Sequence, residues 1–208
     1  MSKKNNHREE VRTHNSIEKL KRDIEFSVKL RDREMYFQTT WGLFSPRRLD
    51  DGSRMLVNKI ELESNHDTLD LGCGYGAVGL AIARDCPDGR VHLVDKDFIA
   101  VEYAAKNAAR NHLGNCSAYL SNAFSAVPDM KFDNIVSNLP ANVGREMLEI
   151  ILNDAKTHLK PGGKLYVVTI AGLRKFIQRN FIEVFGNYDK LKQGKTYTVG
   201  MAINSEKL

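Results

Sequence analysis

The stretch that most constrains the fold of this chain is "TLDLGCGYGAVGLAIA", residues 68–83. A short apolar run is followed by glycines at Gly72, Gly74 and Gly76, and then by apolar residues at helical spacing. Glycine permits a tight turn and lets the backbone approach a ligand closely. The stretch therefore predicts a buried strand, a turn, and a helix whose unpaired N-terminal N–H groups face a ligand.

Strand and helix patterns alternate after this stretch. "RVHLVD", "CSAYLSN", "FDNIVSN" and "KLYVVTI" are predicted strands, and "FIAVEYAAKNAARNHL" is a predicted helix. Further helices are expected from about Arg145 to His158 and from Leu173 to Phe185. This order predicts an α/β fold, a Rossmann-like and mostly parallel sheet with helices on both faces. "YDKLKQGKTYTVGMAI" adds an antiparallel C-terminal hairpin around Gly194 and completes seven strands.

The N-terminal part reads differently from the rest of the chain. "IEFSVKLRDREMYFQTT" alternates apolar and polar residues, which predicts a β-hairpin with strands near 24–30 and 33–39. A loop follows, and then a helix capped by Asp50 or Asp51.

We interpret residues 1–22 as a polar, flexible lead and residues 23–208 as a single domain. Within that domain, residues 23–60 form the hairpin and helix, and residues 66–208 form the Rossmann-like core. The lead lacks the apolar core of a signal peptide, and no apolar run is long enough to cross a bilayer, so we expect a cytoplasmic protein without a membrane segment. The cysteines and histidines show no metal-ligand spacing, so no metal is expected.

Polar side chains stand where four predicted strands end, at Asp70, Asp95, Asn122 and Asn138. In such sheets the ligand lies at the carboxyl ends of the strands. Asp95 follows the glycines by roughly twenty residues, where a carboxylate accepts from both ribose hydroxyls. Asp70 precedes the first glycine, and a carboxylate there repels a pyrophosphate but attracts a cation.

S-adenosylmethionine carries a sulfonium, an ammonium and a ribose but no phosphate, so it suits this loop. The pattern "DLGCGYG" resembles the first motif of class I methyltransferases. The resemblance implies S-adenosylmethionine as the cofactor, its methionine part being held by Asp70, Gly72, Cys73, Gly74 and Gly76.

The adenine of that cofactor is expected near "SNAFSAV", at the end of the third predicted strand of the core. Asn122 and Ala123 stand where class I methyltransferases read the adenine. The amide oxygen of Asn122 can accept from the adenine amine. The alternative is that Asn122 is a turn residue.

The motif "NLPANVG" follows the fourth predicted strand of the core. It is similar to the "NLPYNVG" type of rRNA adenine dimethyltransferases and to the Asn-Pro-Pro-aromatic motif of enzymes that methylate amines. The resemblance implies that the Asn138 side chain and the Leu139 carbonyl hold the amine, with Pro140 fixing the turn. Ala141 replaces the aromatic that stacks on a base. Another aromatic therefore stacks instead (Trp41, Phe44 or Tyr36), or the acceptor is not a planar base, or the site is inactive.

Residues 24 to 203 resemble the small-subunit rRNA methyltransferase C family and its small relatives. "GLFS" and "LDDGS" match the loop and the helix start that this family places before its glycine loop. Phe44, Ser45 and Ser53 are the positions that the resemblance brings to the donor pocket; Phe44 is alternatively a core residue. Bacterial members carry an additional N-terminal domain with no counterpart in this sequence.

The resemblance implies a methyltransferase acting on an exocyclic base amine of ribosomal or transfer RNA. A net charge of +5, concentrated towards both ends of the chain, agrees with an RNA partner without requiring one. Three alternatives stay open: methyl transfer to a protein amide or a small-molecule amine, a non-catalytic S-adenosylmethionine-binding module, and, more distantly, a dehydrogenase.

Overall fold

A computed structural model describes residues 17–19, 21–127, 129–139 and 143–205. The predicted hairpin is present as a separate two-stranded sheet, and the remaining strands form one seven-stranded sheet. The strands are β1 (Ile24–Leu30), β2 (Arg33–Thr39), β3 (Thr68–Leu71), β4 (Val91–Asp95), β5 (Cys116–Leu120), β6 (Phe132–Asn138), β7 (Leu159–Ile170), β8 (Asp189–Gln193) and β9 (Tyr197–Ile203). The helices are α1 (Asp51–Val57), α2 (Ala77–Asp85), α3 (Phe98–Arg110), α4 (Arg145–His158) and α5 (Arg174–Phe185).

The sheet order is β5-β4-β3-β6-β7-β9-β8. The strands from β5 to β7 pair in parallel, whereas β9 runs antiparallel to both β7 and β8. This confirms the predicted mostly parallel Rossmann-like sheet with a C-terminal antiparallel hairpin. After β3, the next two strands along the chain are added on one side of it, and β6 is added on its other side. The carboxyl ends of β4, β3 and β6 therefore lie side by side at this switch point, which is where ligands bind in such sheets.

Apolar layers cover both faces of the sheet. On one face α1, α2, α3 and the hairpin enclose side chains such as Phe37, Leu80 and Ile82. On the other face α4 and α5 cover a second apolar layer, which contains Phe132 of β6 and Phe181 of α5. Burying each of these side chains contributes about 1.5–3 kcal/mol, so the two layers hold the strand ends in place.

Two asparagines at the end of α3 attach the hairpin to the core. The buried Asn107 amide accepts from Gln38 N and donates to Gln38 O and Tyr75 O, and Asn111 exchanges bonds with the Tyr36 backbone in the same way. Because α3 runs antiparallel to β4, its last residues lie at the amino end of the sheet. Strand β2 therefore leads from the amino edge towards the carboxyl edge.

Several boundaries differ from the sequence-based expectation: α3 ends at Arg110 rather than at Leu113, and β5 ends at Leu120 rather than at Asn122. Strand β7 begins at Leu159 rather than at Lys164, because it continues through a bulge in which Gly162 has φ +78°. A 3₁₀ turn over Ala171–Leu173 precedes α5, which begins at Arg174.

The expected polar lead falls largely in residues 1–16, which lie outside the described residues. Within the part of the chain that the structure covers, every helix is too short or too polar to cross a membrane.

Candidate active site

The glycine loop turns from β3 into α2 through left-handed backbone at Gly72, Gly74 and Gly76, with φ of +73°, +55° and +92°. A Cβ added at Gly72 or Gly74 would have no described heavy atom within 4 Å. The outer side of the loop is therefore open to a ligand, and the left-handed φ angles explain why glycine is needed there.

Asp95 holds the loop at the end of β4. Its Oδ2 accepts from Gly74 N at 2.9 Å, and its Oδ1 accepts from Asp97 N at 3.0 Å. Each carboxylate oxygen retains a second lone pair. Asp95 thus both fixes the glycine loop and can accept from hydroxyl groups of a ligand.

Asp70 lies beneath the loop and is only 2% exposed. Its Oδ2 accepts from Gly79 N, in the first turn of α2, at 2.7 Å. Burial raises the pKa of Asp70 to about 7; the Gly79 hydrogen bond opposes this shift and the negative charge of Asp95 adds to it. A cation bound beside Asp70 would lower the pKa again. The site therefore suits a ligand with an ammonium or sulfonium group.

Gly79 makes this close approach of α2 to the sheet possible. A Cβ there would lie 2.1 Å from Leu93 Cδ2 and 2.9 Å from Asp70 Oδ2. The sequence-based reading did not single out Gly79. Its spacing of three residues from Gly76 is the signal that was available, since the last glycine of such loops serves helix–strand packing.

The remaining predicted cofactor residues lie around the same edge. Cys73 is buried, and burial, followed by the charges of Asp70 and Asp95, raises its thiol pKa well above the ordinary value. Asn122 is exposed in a turn in which its N–H donates to Ser125 Oγ, and Ala123 has φ +50°. Asn122 therefore belongs to a turn and also lies free to contact an adenine.

Asn138 ends β6 with both amide hydrogens anchored. Its Nδ2 donates to Asp50 Oδ2 and to Ser53 Oγ, each at 3.0 Å. A carboxylate only accepts, so the NH₂ end of the amide must face Asp50 and the oxygen must face away. Among the residues that the structure describes, none donates to the Asn138 oxygen, which is therefore an acceptor at the carboxyl edge of the sheet.

Asp50 is the predicted N-cap of α1, and its Oδ2 accepts from Ser53 N at 3.0 Å. Its Oδ1 accepts from the Tyr197 hydroxyl at 2.9 Å. Burial, followed by the hydrogen bond to Asp50, raises the pKa of Tyr197, so this hydroxyl keeps its proton. The sequence identified Asp50 only as a cap and did not single out Tyr197, which is distant along the chain.

Leu139 follows Asn138 and is buried, and its N–H donates to Val168 O of β7 at 3.1 Å. This bond extends the β6–β7 pairing by one residue. Pro140 and Ala141, the other predicted residues of this corner, lie outside the described residues.

The loop between β2 and α1 crosses the carboxyl edge, since Thr40 lies beside Tyr103 of α3 and Asp50 contacts Asn138. Trp41 and Phe44 on this loop are 66% and 64% exposed. Phe44 is therefore not a core residue, and its neighbour Leu43 is buried instead.

Ser45 and Tyr36, two further predicted positions, lie in different parts of the domain. Ser45 of the same loop has φ +48°, and its Oγ donates to Arg48 O. Tyr36, the third aromatic considered for stacking, lies beside Asn111 near the amino edge, away from the strand ends that carry Asp70 and Asn138. Trp41 and Phe44 are therefore better located than Tyr36 to contact an acceptor.

The strand ends together offer a buried carboxylate, an open glycine loop, a second carboxylate and an anchored amide. These groups fit S-adenosylmethionine, which brings a cation and a ribose and needs no phosphate site. Among the described residues, no group of three or more His, Cys, Asp or Glu side chains is arranged to hold a metal ion.

Comparison with known proteins gives the family. Residues 34–200 match the family model "Methyltransferase small domain". The uncharacterized protein YbxB of Bacillus subtilis is 36% identical over 145 residues, which cover 69% of this chain and 72% of that protein. A ribosomal RNA small subunit methyltransferase C of Hamiltonella defensa is 33% identical and covers 82% of this chain.

A solved structure agrees with these matches. The T. thermophilus 16S rRNA N2 methyltransferase RsmC, in complex with AdoMet and guanosine, superposes with a TM-score of 0.78 at 29% identity over 86% of this chain. The chain spans about half the length of both named rRNA methyltransferases, 51% and 50%. The expected methyl donor agrees with the family, whose methyltransferases use S-adenosylmethionine. This chain, with its seven-stranded sheet and its glycine loop, belongs to the methyltransferase small domain family.

Proposed function

We propose that this chain transfers a methyl group from S-adenosylmethionine to an exocyclic amine of a base in ribosomal RNA, in the cytoplasm. The observation that carries the proposal is the Asn138 amide, whose two hydrogens are bound by Asp50 and Ser53 and whose oxygen has no donor within the described part of the chain. An amine has two hydrogens to be held while its lone pair is aimed, and an anchored acceptor suits that task. The names of the two rRNA methyltransferase relatives support RNA as the substrate class.

When bound, S-adenosylmethionine supplies an electrophilic methyl group. The Asn138 oxygen and the Leu139 carbonyl accept the two hydrogens of the amine and thereby direct its lone pair. Positive charge would grow on the nitrogen as its bond to the methyl carbon forms, while the carbon–sulfur bond breaks and its electron pair stays on the sulfur of the departing thioether; both oxygens would stabilise the charge on nitrogen. The methylated nitrogen then releases one proton to water, so a strong general base is not required.

The donor is held by the opposite part of the site. Asp70 would attract the cationic methionine part of the donor, and the loop of Gly72, Cys73, Gly74 and Gly76 would hold it. Asp95 would accept from the ribose hydroxyls, and Asn122 with Ala123 would border the adenine.

Exposed aromatic side chains supply the stacking that Ala141 lacks. Trp41 and Phe44 belong to the loop that crosses the carboxyl edge, and both are largely exposed. Stacking of a base on an aromatic ring contributes about 1–3 kcal/mol. We therefore assign base stacking to this loop, with Ser45 at its turn.

Arginines beside the same edge suit an RNA backbone. The guanidinium carbons of Arg145, the first residue of α4, and of Arg179 on α5 each lie 5.7 Å from the centroid of the Phe176 ring. Both arginines are exposed, and guanidinium groups bind phosphate with two parallel hydrogen bonds. We propose that they contact phosphates on either side of the target nucleotide.

The function is tested by calorimetric titration with S-adenosylmethionine and with NAD, followed by transfer of labelled methyl groups to deproteinised small-subunit rRNA. We expect donor binding, no NAD binding, and label in a nucleoside that carries an exocyclic amine. Label in a protein fraction and not in RNA would favour a protein amide as the acceptor. If the chain bound the donor but transferred no methyl group to RNA, protein or small amines, it would be a non-catalytic module that binds S-adenosylmethionine.

The proposed phosphate contacts of Arg145 and Arg179 are tested by the salt dependence of rRNA binding. The logarithm of the RNA association constant falls as the logarithm of the salt concentration rises. Each lost phosphate contact makes this slope less steep by about 0.7–0.9, so Arg145→Gln combined with Arg179→Gln should make it less steep by about 1.5. The matched control is Lys59→Gln with Arg90→Gln, which removes the same charge elsewhere on the surface. Equal slopes for the two double variants would exclude the arginines as phosphate ligands.

A further inference from the structure

The Asp50 carboxylate joins three segments that are remote in sequence. Asp50 itself lies at the start of α1, Asn138 at the end of β6, and Tyr197 at the start of β9. Its Oδ2 accepts from Asn138 Nδ2 and its Oδ1 accepts from the Tyr197 hydroxyl, at 3.0 and 2.9 Å. A helix cap needs only the bond to Ser53 N, so the other two bonds require a separate explanation.

These bonds decide which way the Asn138 amide points. An unanchored amide can rotate and present either its oxygen or its NH₂ group to an acceptor amine. In this structure the NH₂ group is bound twice, by Asp50 Oδ2 and by Ser53 Oγ. Rotation of the amide by half a turn would bring its oxygen against the carboxylate, where neither atom can donate.

The charge of Asp50 acts in the same direction. Hydrogen bonds in a chain polarise one another, so a negative carboxylate that accepts from the NH₂ end pushes electron density of the amide towards its oxygen. The Asn138 oxygen becomes a better acceptor at the stage when positive charge grows on the amine.

Tyr197 fixes the far side of the carboxylate, and the fold makes room for its ring. A Cβ added at Gly52 would lie 3.0 Å from Cδ1 and Cε1 of Tyr197 and 2.8 Å from Asp50 Oδ2. The first turn of α1 therefore admits the tyrosine because residue 52 has no side chain. Tyr197 lies in the antiparallel hairpin, which contributes none of the residues assigned to the methyl donor.

We propose that Asp50 and Tyr197 are positioning residues: they hold the Asn138 amide with its oxygen towards the acceptor amine. This inference rests on the proposed function of Asn138. Turnover therefore depends on both residues, whereas the affinity for the methyl donor does not.

The kinetic test uses Tyr197→Phe and Asp50→Asn, with labelled-methyl transfer to small-subunit rRNA. Asparagine is also a good helix cap, so Asp50→Asn removes the charge and keeps α1. We expect kcat to fall about tenfold in each variant, as for a lost hydrogen bond to a charged group, with an unchanged Kd for S-adenosylmethionine. Tyr188→Phe in the same C-terminal region is the matched control and should leave kcat unchanged.

A double-mutant cycle separates positioning from a structural effect. If Tyr197 acts through Asn138, Tyr197→Phe should have no further effect on kcat in the Asn138→Ala background. Losses that multiply in the double variant would overturn the proposal.

A readout without substrate keeps this inference distinct from the proposed function. The side-chain amide NMR signals of Asn138, identified by their loss in Asn138→Ala, should shift in Asp50→Asn and in Tyr197→Phe, while those of Asn153 on α4 stay in place. Unchanged Asn138 signals would overturn the network even in an active enzyme. If the unaltered chain transfers no methyl group to RNA, the proposed function fails, and these signals still decide whether the network exists.

Discussion

The two halves of the site are built in different ways. On the donor side, Asp70 and Asp95 bind main-chain N–H groups of Gly79 and Gly74, so backbone and side chain hold each other. On the acceptor side, the Asn138 amide is held by side chains from α1, which Asp50 links in turn to Tyr197 of β9. The donor side thus depends on neighbouring strand ends, and the acceptor side on segments brought together by the whole fold.

This difference explains what relatives can share. A donor site made of backbone geometry persists wherever the strand–glycine–helix unit persists. An acceptor site made of converging side chains changes with a single substitution, as the replacement of the aromatic by Ala141 illustrates.

The largest expected effect separates the two halves. Asn138→Ala should lower kcat by about 10²–10³, the cost of losing one preorganised group that stabilises developing charge. The Kd for S-adenosylmethionine should stay within about twofold, because no donor contact is assigned to this amide. Asn153→Ala, which removes an exposed amide on α4, is the control. A comparable loss of donor affinity in Asn138→Ala would show that the halves are not independent.

The second effect belongs to the donor half. Asp95→Ala removes the two hydrogen bonds that we propose to the ribose, each worth about 1.5–3 kcal/mol, and releases Gly74 N. Calorimetry should give a Kd for S-adenosylmethionine raised about 100-fold or more. Asp88→Ala, an exposed acid in the turn after α2, should leave the Kd unchanged. If Asp95→Ala still bound the methyl donor tightly, Asp95 would not be the residue that binds the ribose.

A third prediction concerns the packing beneath the donor half. Gly79→Ala places a Cβ against Leu93 and Asp70 and should lower the free energy of unfolding by about 1–3 kcal/mol. Thermal unfolding should shift downward by about 2–4 °C for each kcal/mol. The control is Gly114→Ala, where a Cβ meets no described atom within 4 Å. Equal melting temperatures for the two variants would mean that α2 is free to move away from β3.

The smallest expected effect is the release of part of a proton when the methyl donor binds. The pKa of Asp70 is raised by burial to about 7, so near neutral pH the carboxyl is partly protonated in the free protein. A cationic ligand favours the charged form and lowers this pKa, so binding releases up to about half a proton at pH 7. Calorimetry in buffers of different ionisation enthalpy measures it. Asp70→Asn should abolish the release, and proton uptake by the unaltered chain would contradict the assignment.

The same raised pKa has a consequence for stability. The folded state binds the Asp70 proton more tightly than the unfolded state does, so this carboxyl lowers the free energy of unfolding as pH rises from about 4 to about 7. The Asp70→Asn variant should lose that part of the pH dependence.

The sequence predicted the fold because its signals are local. Alternating periodicity, the glycines and the caps specify each strand and helix within a few residues, and the parallel order then follows. Asp70, Asp95 and Asn138 were found for the same reason, since each ends a recognisable strand. Tyr197 was not found, because its partner Asp50 lies on a different element and only the packing of α1 between β6 and β9 joins them. The exposure of Phe44 was likewise decided by the path of a loop.

The late position of Tyr197 in the chain bears on synthesis. A nascent chain that has emerged through β5 and β6 already holds the strand ends that carry Asp70, Asp95 and Asn138. Strand β9 pairs with β7 on one side and with β8 on the other. The tyrosine hydroxyl can reach Asp50 only after β9 has been synthesised. Pairings between remote segments form late because of their loop entropy. The acceptor corner therefore lacks the Tyr197 hydroxyl until β9 has been synthesised and paired with β7.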